Sequence, residues 1–256
     1  MGLGREGKLL LVYYLASYAY LYGINAALRP ILRHIAGDVL KIALINVSTL
    51  TVLCALAYTI VSKGLGGGRF REYLGLRRRG LWDSLVITGG AFAGLYLTAA
   101  LVAFAFLKMD PVARFVENAR AWSAPWFDNV DPTTLPIVAI AMWLASGVFW
   151  FGLLQAFPYE VLIRRPKKVV IPLISLSSVL LYNAPLLTGE WKVDDIVFLG
   201  VLCPLIYHLT RNSVGIILNY VFLFELPVAA AFLRGWGEAA FSAFLALRMA
   251  WGVLRN

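Results

Sequence analysis

Eight long apolar runs constrain this chain more than any other feature of its sequence. A helix that crosses a membrane needs about 20 mainly apolar residues. Each run approaches that length, and short polar connections separate them. The sequence therefore predicts an all-α, polytopic transmembrane bundle of about eight spans, at residues 9–31, 42–61, 85–107, 135–157, 169–187, 193–209, 214–233 and 239–254. The last run carries Arg248, so that helix is alternatively expected to lie along the membrane surface.

The composition excludes a soluble globular protein. Hydrophobic residues make up 61% of the 256 positions and charged residues only 14%, whereas soluble domains have roughly 45–50% and about 25%. Eight spans leave no room for a separate soluble catalytic domain. Any chemistry is therefore expected among the helices.

Few residues are suited to metal or redox chemistry. The chain has two histidines, His34 and His208, and two cysteines, Cys54 and Cys203. A zinc site needs three or four good ligands, so we predict neither a metal nor another cofactor. The formal net charge is +9, but the basic residues cluster at the ends of apolar runs, as in membrane flanks, which argues against nucleic acid as a partner.

The distribution of Lys and Arg predicts the orientation. One alternating set of connections holds fourteen of these residues and the other holds eight, and cytoplasmic loops carry the excess. Both termini are thus expected in the cytoplasm, in an integral protein of the cell membrane. We divide the chain into an N-terminal two-helix membrane segment (1–63), a basic cytoplasmic linker (64–80) and a transmembrane core (81–256).

Three local patterns add detail. Residues 111–122 have helical apolar spacing after Asp110, which predicts a surface helix on the outer leaflet. Gly90 and Gly94 form a small-xxx-small pattern, which predicts a helix-packing face. The linker begins with a glycine-rich hinge, and we expect its basic residues to bind anionic lipid headgroups: Arg69, Arg71, Arg77, Arg78 and Arg79.

Polar residues at membrane depth are costly and are therefore functional candidates. Glu160 and Arg164 are four residues apart, which on one helical face allows an ion pair. That pair is either functional or an ordinary interfacial contact with Arg164 reaching toward the headgroups. Asn183 and Asn219 are either site residues or donors of interhelical hydrogen bonds.

The order of these segments resembles the CPBP family, the CAAX prenyl protease and bacteriocin-processing (Abi) intramembrane proteases. The resemblance rests on Leu74-Gly-Leu-Arg-Arg before a long span, Tyr159-Glu-Val-Leu-Ile-Arg164 at the end of a span, the serine-bearing span that ends at Asn183, and the segment from Leu205 to Asn219. It covers roughly residues 74–233. It implies a CPBP-like helical core and, in active members, intramembrane endopeptidase activity.

Matched to the family pattern, this chain lacks several functional side chains. In the first motif, Tyr159 replaces one of two adjacent glutamates, while Glu160 and Arg164 match the second glutamate and the arginine. The second motif ends at Asn183 instead of a histidine. The third begins at Asn219 instead of a histidine. The resemblance therefore implies that Tyr159, Glu160, Arg164, Asn183 and Asn219 line a residual pocket. Within it, Tyr159, Asn183 and Asn219 are expected to face one another.

These replacements weaken the chemistry that the resemblance implies. The family's glutamate and histidine are thought to activate a water molecule, and asparagine cannot take up a proton at neutral pH. Tyrosine, with a reference pKa near 10, is also a poor base. One alternative remains, because His208 and Asn212 have the spacing of the third motif, displaced by eleven residues.

We therefore expect a non-catalytic, CPBP-like membrane protein that binds a membrane protein or peptide. An accessory or structural subunit of a larger membrane complex is one alternative. An atypical intramembrane endopeptidase is another, and its candidate catalytic residues are Glu160, Arg164 and His208. A transporter is disfavoured because the spans show no clear internal repeat.

Overall fold

The computed structural model describes residues 4–24, 27, 38–106, 108, 110, 143–163, 166–183 and 196–225. Every regular element in these ranges is a helix. The all-α prediction is therefore confirmed for the part of the chain that is described. The predicted outer surface helix at 111–122 and the eighth apolar run lie outside it.

Several helices change from α to the wider π form along their length. We label them as follows: α1, Arg5–Tyr18 with π-helical Ala19–Ile24; α2, Asp38–Thr59 with π-helical Ile60–Gly64; α3, Phe70–Tyr73; α4, Leu81–Ala105; α5, π-helical Val148–Ala156 with Phe157–Val161; α6, Lys167–Asn183; α7, π-helical Ile196–Leu202 with Cys203–Thr210; and α8, Ser213–Asn219 with π-helical Tyr220–Glu225. Residues 143–147 are helical and lead into α5.

Each of the first seven apolar runs overlaps one of the longer helices, and several ends of these runs lie outside the described residues. Among the described residues, two stretches are long and apolar enough to cross a membrane, Val47–Gly64 and Leu81–Val102. The other apolar helices among the described residues are shorter, such as Gly200–Thr210 and Ser213–Leu223. The eight-span bundle therefore stays a prediction.

Helix α5 lies at the centre of the described structure. Its sequence is apolar around the whole circumference, a pattern typical of a fully buried helix, and Phe151, Leu153 and Phe157 are completely buried. Helix α1 packs against it through Tyr13, whose hydroxyl donates a hydrogen bond of 3.1 Å to the carbonyl of Leu153. The Tyr13 ring also contacts Phe157, at 4.8 Å between centroids. The core thus holds the end of α5 in place.

Helix α4 has one packed face and one open face. The packed face meets α8, where a Cβ added at Gly215 would lie 2.5 Å from Ser84 Oγ, so the absence of a side chain allows the close approach. The open face is strongly apolar, with Val86 70% and Phe104 69% exposed. Its 25 residues span about 37 Å at 1.5 Å per residue, enough for the roughly 30 Å hydrocarbon core of a bilayer.

The small-xxx-small pattern of α4 has no packing partner among the described residues. No described residue lies within 4 Å of a Cβ added at Gly90 or at Gly94, and both glycines are exposed. The close helix contacts of the described structure use other glycines: Gly215 against α4, and Gly147, where an added Cβ would meet Ile217 at 2.7 Å. The helix-packing face at Gly90 and Gly94 therefore stays a prediction.

Candidate functional site

A buried cluster of charged and polar side chains joins three parts of the chain. Glu160 comes from the last turn of α5, Arg77 from the linker before α4, and Tyr207 and Arg211 from the end of α7. We call this cluster the Glu160 junction. The glutamate side chain is only 7% exposed, whereas the two arginine side chains are 27% and 26% exposed. The glutamate is therefore buried, while the two arginine side chains remain partly accessible to solvent.

Both carboxylate oxygens of Glu160 are engaged. Oε1 accepts hydrogen bonds from the Tyr207 hydroxyl at 2.6 Å and from Arg211 Nε at 3.0 Å. Oε2 accepts a hydrogen bond from an Arg211 terminal nitrogen at 2.5 Å and forms an ion pair with an Arg77 terminal nitrogen at 2.9 Å. Three of the roughly four acceptor positions of an ionised carboxylate therefore hold hydrogen bonds, and two arginines neutralise its charge.

Arg211 binds Glu160 through two parallel hydrogen bonds, the geometry that best matches a guanidinium to a carboxylate. Burial alone lowers the pKa of Arg211, but the hydrogen bond and the negative charge of Glu160 outweigh burial, and the pKa is raised above its ordinary value. Arg211 is therefore charged at any physiological pH. The backbone of Arg211 is left-handed, with φ 55°, at the turn where α7 ends and α8 begins.

Arg77 reaches Glu160 because the linker is fastened to the start of α8. The Ser213 backbone N–H donates to the carbonyl of Gly75 at 3.0 Å, and the Ser213 hydroxyl donates to the carbonyl of Leu74 at 2.6 Å. Gly75 has φ 68°, and a Cβ there would lie 2.5 Å from the Tyr207 ring. Glycine is thus required both for the backbone conformation and for the close approach.

Asn212 completes this attachment. Its side-chain amide donates to the carbonyl of Arg77 and, at 3.1 Å, to that of Arg79. Its side-chain oxygen accepts from the N–H of Gly215 at 3.2 Å, which caps α8. The Ser84 hydroxyl of α4 donates to the Asn212 carbonyl at 2.9 Å. One residue thereby connects the linker, α4 and α8.

A second polar contact lies beside the junction. The Tyr159 hydroxyl and His208 Nδ1 are 2.6 Å apart, and the Arg211 guanidinium lies 4.7 Å above the Tyr159 ring, within the range of a cation–π interaction. Tyr159 is fully buried and His208 is partly buried. The structure therefore brings three predicted site residues together: Tyr159, Glu160 and His208.

Asn219 makes a different contact. Its side-chain amide donates to the carbonyl of Leu85 on α4 at 2.9 Å and to that of Gly215 at 3.0 Å. The alternative that Asn219 supplies an interhelical hydrogen bond is therefore confirmed. Asn183 is the last residue of α6, but its side chain lies outside the described residues, so its predicted place in a pocket stays a prediction.

The expected ion pair between Glu160 and Arg164 assumed one continuous helical face. The helix that carries Glu160 ends at Val161, and Leu162 has φ −94° and ψ 13°, so the four-residue spacing on one helix does not apply. Arg164 itself lies outside the described residues. The arginines that bind Glu160 among the described residues are Arg77 and Arg211.

Sequence reasoning missed Tyr207 and Arg211, and assigned Arg77 only to the linker. Arg211 was counted as a membrane flank, although it lies between His208 and Asn212, the two residues of the displaced third motif. The linker's Leu74-Gly-Leu-Arg-Arg segment, which contributed to the family resemblance, provides both Gly75 and Arg77. This segment was therefore the sequence signal from which the contact between the linker and the Glu160 junction could have been predicted.

The junction supports ion pairing and hydrogen bonding, and it does not resemble a metal centre. Among the described residues, no three His, Cys, Asp or Glu side chains come together to hold a metal ion. No protein-family model, curated protein or solved structure matches the chain.

Proposed function

We propose that the chain is a non-catalytic integral membrane protein with a CPBP-like helical bundle, and that it binds another membrane protein or a peptide. The observation that carries the proposal is that Tyr207, Arg77 and Arg211 engage both oxygens of Glu160. A general base must hold a free acceptor position toward the proton it removes and gain from taking up that proton. Three hydrogen bonds and two arginine charges stabilise the ionised form of Glu160, so this carboxylate suits a structural role.

The neighbouring residues do not replace the missing base. Tyr159 occupies the position of the family's first glutamate, and its hydroxyl is engaged with His208. A phenol with a reference pKa near 10 accepts a proton poorly. These contacts therefore favour a CPBP-like core that has lost the acid–base chemistry of the family.

The membrane location is supported by the two helices of spanning length and by the open face of α4. Burying apolar side chains such as Val86 and Phe104 in lipid removes their contact with water, worth roughly 25 cal/mol per Å². We also propose the eight-span topology with both termini in the cytoplasm, because basic residues concentrate in one set of connections.

Labelling of single cysteines tests that topology. In a background that lacks Cys54 and Cys203, cysteines placed at Gly67 and at Asn129 should react with an impermeant thiol reagent from opposite sides of the membrane. Reaction of both from the same side would contradict the proposed orientation.

A membrane-protein partner is supported by Gly90 and Gly94. Small residues let the backbones of two transmembrane helices approach closely, and no described residue of this chain occupies that position. We therefore assign the binding of a partner helix to the open face of α4. The same observation is consistent with an accessory subunit of a larger complex. Such a subunit would be distinguished by copurifying with its partner at a fixed stoichiometry.

Affinity purification from native membranes tests this assignment. The chain should recover a partner, and Gly90→Leu with Gly94→Leu should reduce the recovery at least tenfold, since two leucines would separate the helices. Gly23→Leu is the matched control, because Gly23 is also exposed and no described residue lies within 4 Å of its added Cβ. Equal recovery with both variants would contradict the role of α4.

A cleavage assay tests the absence of catalysis. Purified protein in neutral detergent, incubated with a prenylated CAAX peptide and with a transmembrane substrate, should release no more product than heat-denatured protein. Cleavage that disappears in Glu160→Gln would overturn the non-catalytic proposal.

One observation favours the atypical endopeptidase as a second candidate. The 2.6 Å contact between Tyr159 and His208 places the displaced third motif beside the first, and the other ring nitrogen of His208 could then act as the base. On this hypothesis, His208→Ala abolishes cleavage and Tyr159→Phe reduces it. Cleavage unaffected by His208→Ala would reject this candidate.

A further inference from the structure

The linker joins the ends of the two helices that are long enough to cross a membrane. The first spanning stretch ends at Gly64 and the second begins at Leu81. A connection of sixteen residues between two such helices leaves both ends on the same side of a bilayer, because the chain does not cross in between. The linker therefore lies at one membrane surface.

The basic residues of this region point in two directions. Arg77 turns inward and binds Glu160. The side chains of the others are exposed, namely Lys63, Arg69, Arg71, Arg78 and Arg79. The exposed acidic residues beside them are Glu72, which lies 3.8 Å from Arg69, and Asp83. Five positive charges against two negative ones leave a clear positive excess.

The part of this exposed surface around Arg78 and Arg79 is held in a fixed position. Asn212 binds the carbonyls of Arg77 and Arg79, and Ser213 binds those of Leu74 and Gly75. Arg78 and Arg79 therefore extend from a backbone that is anchored to α8. A surface whose backbone is ordered before binding loses less conformational entropy when a ligand arrives.

We infer that the exposed side chains of Lys63, Arg69, Arg71, Arg78 and Arg79, which we call the basic face, form a preorganised surface for the phosphates of anionic lipid headgroups. The proposal depends on insertion in a membrane and not on the absence of catalysis. It changes the set of residues expected from the sequence, because Arg77 is excluded and the exposed Lys63 is added.

The position of the basic face favours lipid as its occupant. Trp82 follows Arg79 by three residues and is 60% exposed, and tryptophan is enriched at the depth of lipid headgroups. Val86, one turn further along α4, is exposed and apolar. From Arg79 to Val86, the exposed side chains thus change from charged to aromatic to apolar. This is the order of polarity from the headgroups of a bilayer to its hydrocarbon core.

Lipid selection by the full-length protein tests this inference. The protein is equilibrated with mixed micelles that contain equal amounts of phosphatidylcholine and phosphatidylglycerol, and the retained lipids are quantified by mass spectrometry. Phosphatidylglycerol should be enriched. Each basic residue near an anionic surface contributes about fivefold in affinity, so Arg78→Gln with Arg79→Gln should weaken phosphatidylglycerol binding about 25-fold. The enrichment should also fall in 0.5 M salt, because salt screens exposed charges.

A matched pair of single variants separates the basic face from net charge alone. Arg79→Gln removes one charge from the basic face, whereas Lys108→Gln removes one charge from an exposed position beyond the opposite end of α4 and should weaken the enrichment less. Equal loss in both single variants, or no enrichment in the unmodified chain, would overturn the inference while leaving the proposed function intact. Failure of the chain to insert into bilayers would overturn both.

Discussion

Glycines lie both beside the Glu160 junction and on the open face of α4, but in different surroundings. At the junction, Gly75 is required because Tyr207 packs against it, and charged groups bind one another. On α4, no described residue lies against Gly90 or Gly94, and the surrounding apolar side chains are exposed. The difference indicates that the junction packs within the chain itself, whereas nothing in the described part of the chain packs on the α4 face.

The largest effect that tests this comparison is expected at Glu160. Glu160→Ala leaves Arg77 and Arg211 facing each other without their shared carboxylate, and removal of one partner from a buried ion pair costs about 3–5 kcal/mol. Because both arginines are about a quarter exposed, we expect roughly 2–4 kcal/mol in the free energy of unfolding. Denaturation in detergent, followed by circular dichroism, measures the loss. A loss below roughly 1 kcal/mol would show that the junction is dispensable.

A double substitution tests whether the loss of stability in Glu160→Ala comes from uncompensated positive charge. Glu160→Gln with Arg211→Gln removes one negative and one positive charge together, so less uncompensated charge remains than in Glu160→Ala. The double variant should be more stable than Glu160→Ala. If it is less stable, the hydrogen bonds of Arg211 matter more than the charge balance.

The next largest effect concerns the linker glycines. Gly75→Ala places a Cβ against the Tyr207 ring and in a left-handed conformation, and we expect a loss of about 2–4 kcal/mol from overpacking and backbone strain together. Gly67→Ala is the matched control, because φ there is 90° and no described residue lies within 4 Å. It should lose only about 1–2 kcal/mol. Equal losses in thermal denaturation would mean that Tyr207 does not restrict this position.

A moderate effect is expected at Asn212. Asn212→Ala removes the cap of α8 and the amide that binds the linker, with a loss of about 1–2 kcal/mol. Asn212→Ser retains a capping hydroxyl and loses the amide, so it should be intermediate. Hydrogen exchange at the linker amides should increase in both variants, and unchanged exchange would contradict the attachment of the linker by Asn212.

No loss of stability is expected on the open face of α4. Gly90→Leu with Gly94→Leu meets no described residue, and leucine is a better helix former than glycine by up to about 1 kcal/mol at each position. Unfolding of the isolated chain in detergent should show equal or slightly higher stability, while recovery of the partner decreases. A loss of more than about 2 kcal/mol would show that this face packs within the chain itself.

Much of the fold could be predicted because its signals are local. Apolar runs at residues 42–61 and 85–107 predicted helices, and α2 and α4 begin four residues before these runs and end within about three residues of them. The candidate site was predicted only in part. Tyr159 and Glu160 were among the predicted pocket residues and His208 was an alternative candidate, all three chosen because polar residues are rare in such a chain and must find partners. The pairing of Glu160 was not predicted, because its arginines come from distant segments.

The sequence by itself determined that the described part of the chain is helical and that two of its helices, Val47–Gly64 and Leu81–Val102, are long and apolar enough for a membrane, because both properties depend on consecutive residues. The tertiary structure decided which charges meet. Glu160 binds Arg211, 51 residues further along the chain, because α5 ends at Val161 and the left-handed turn at Arg211 aligns the guanidinium with the carboxylate. It also decided that Arg77 points inward while Arg78 and Arg79 stay exposed. Three adjacent arginines are equivalent in the sequence, and the contacts of Arg77 with Glu160 and with the carbonyl of Glu72 distinguish it from the other two.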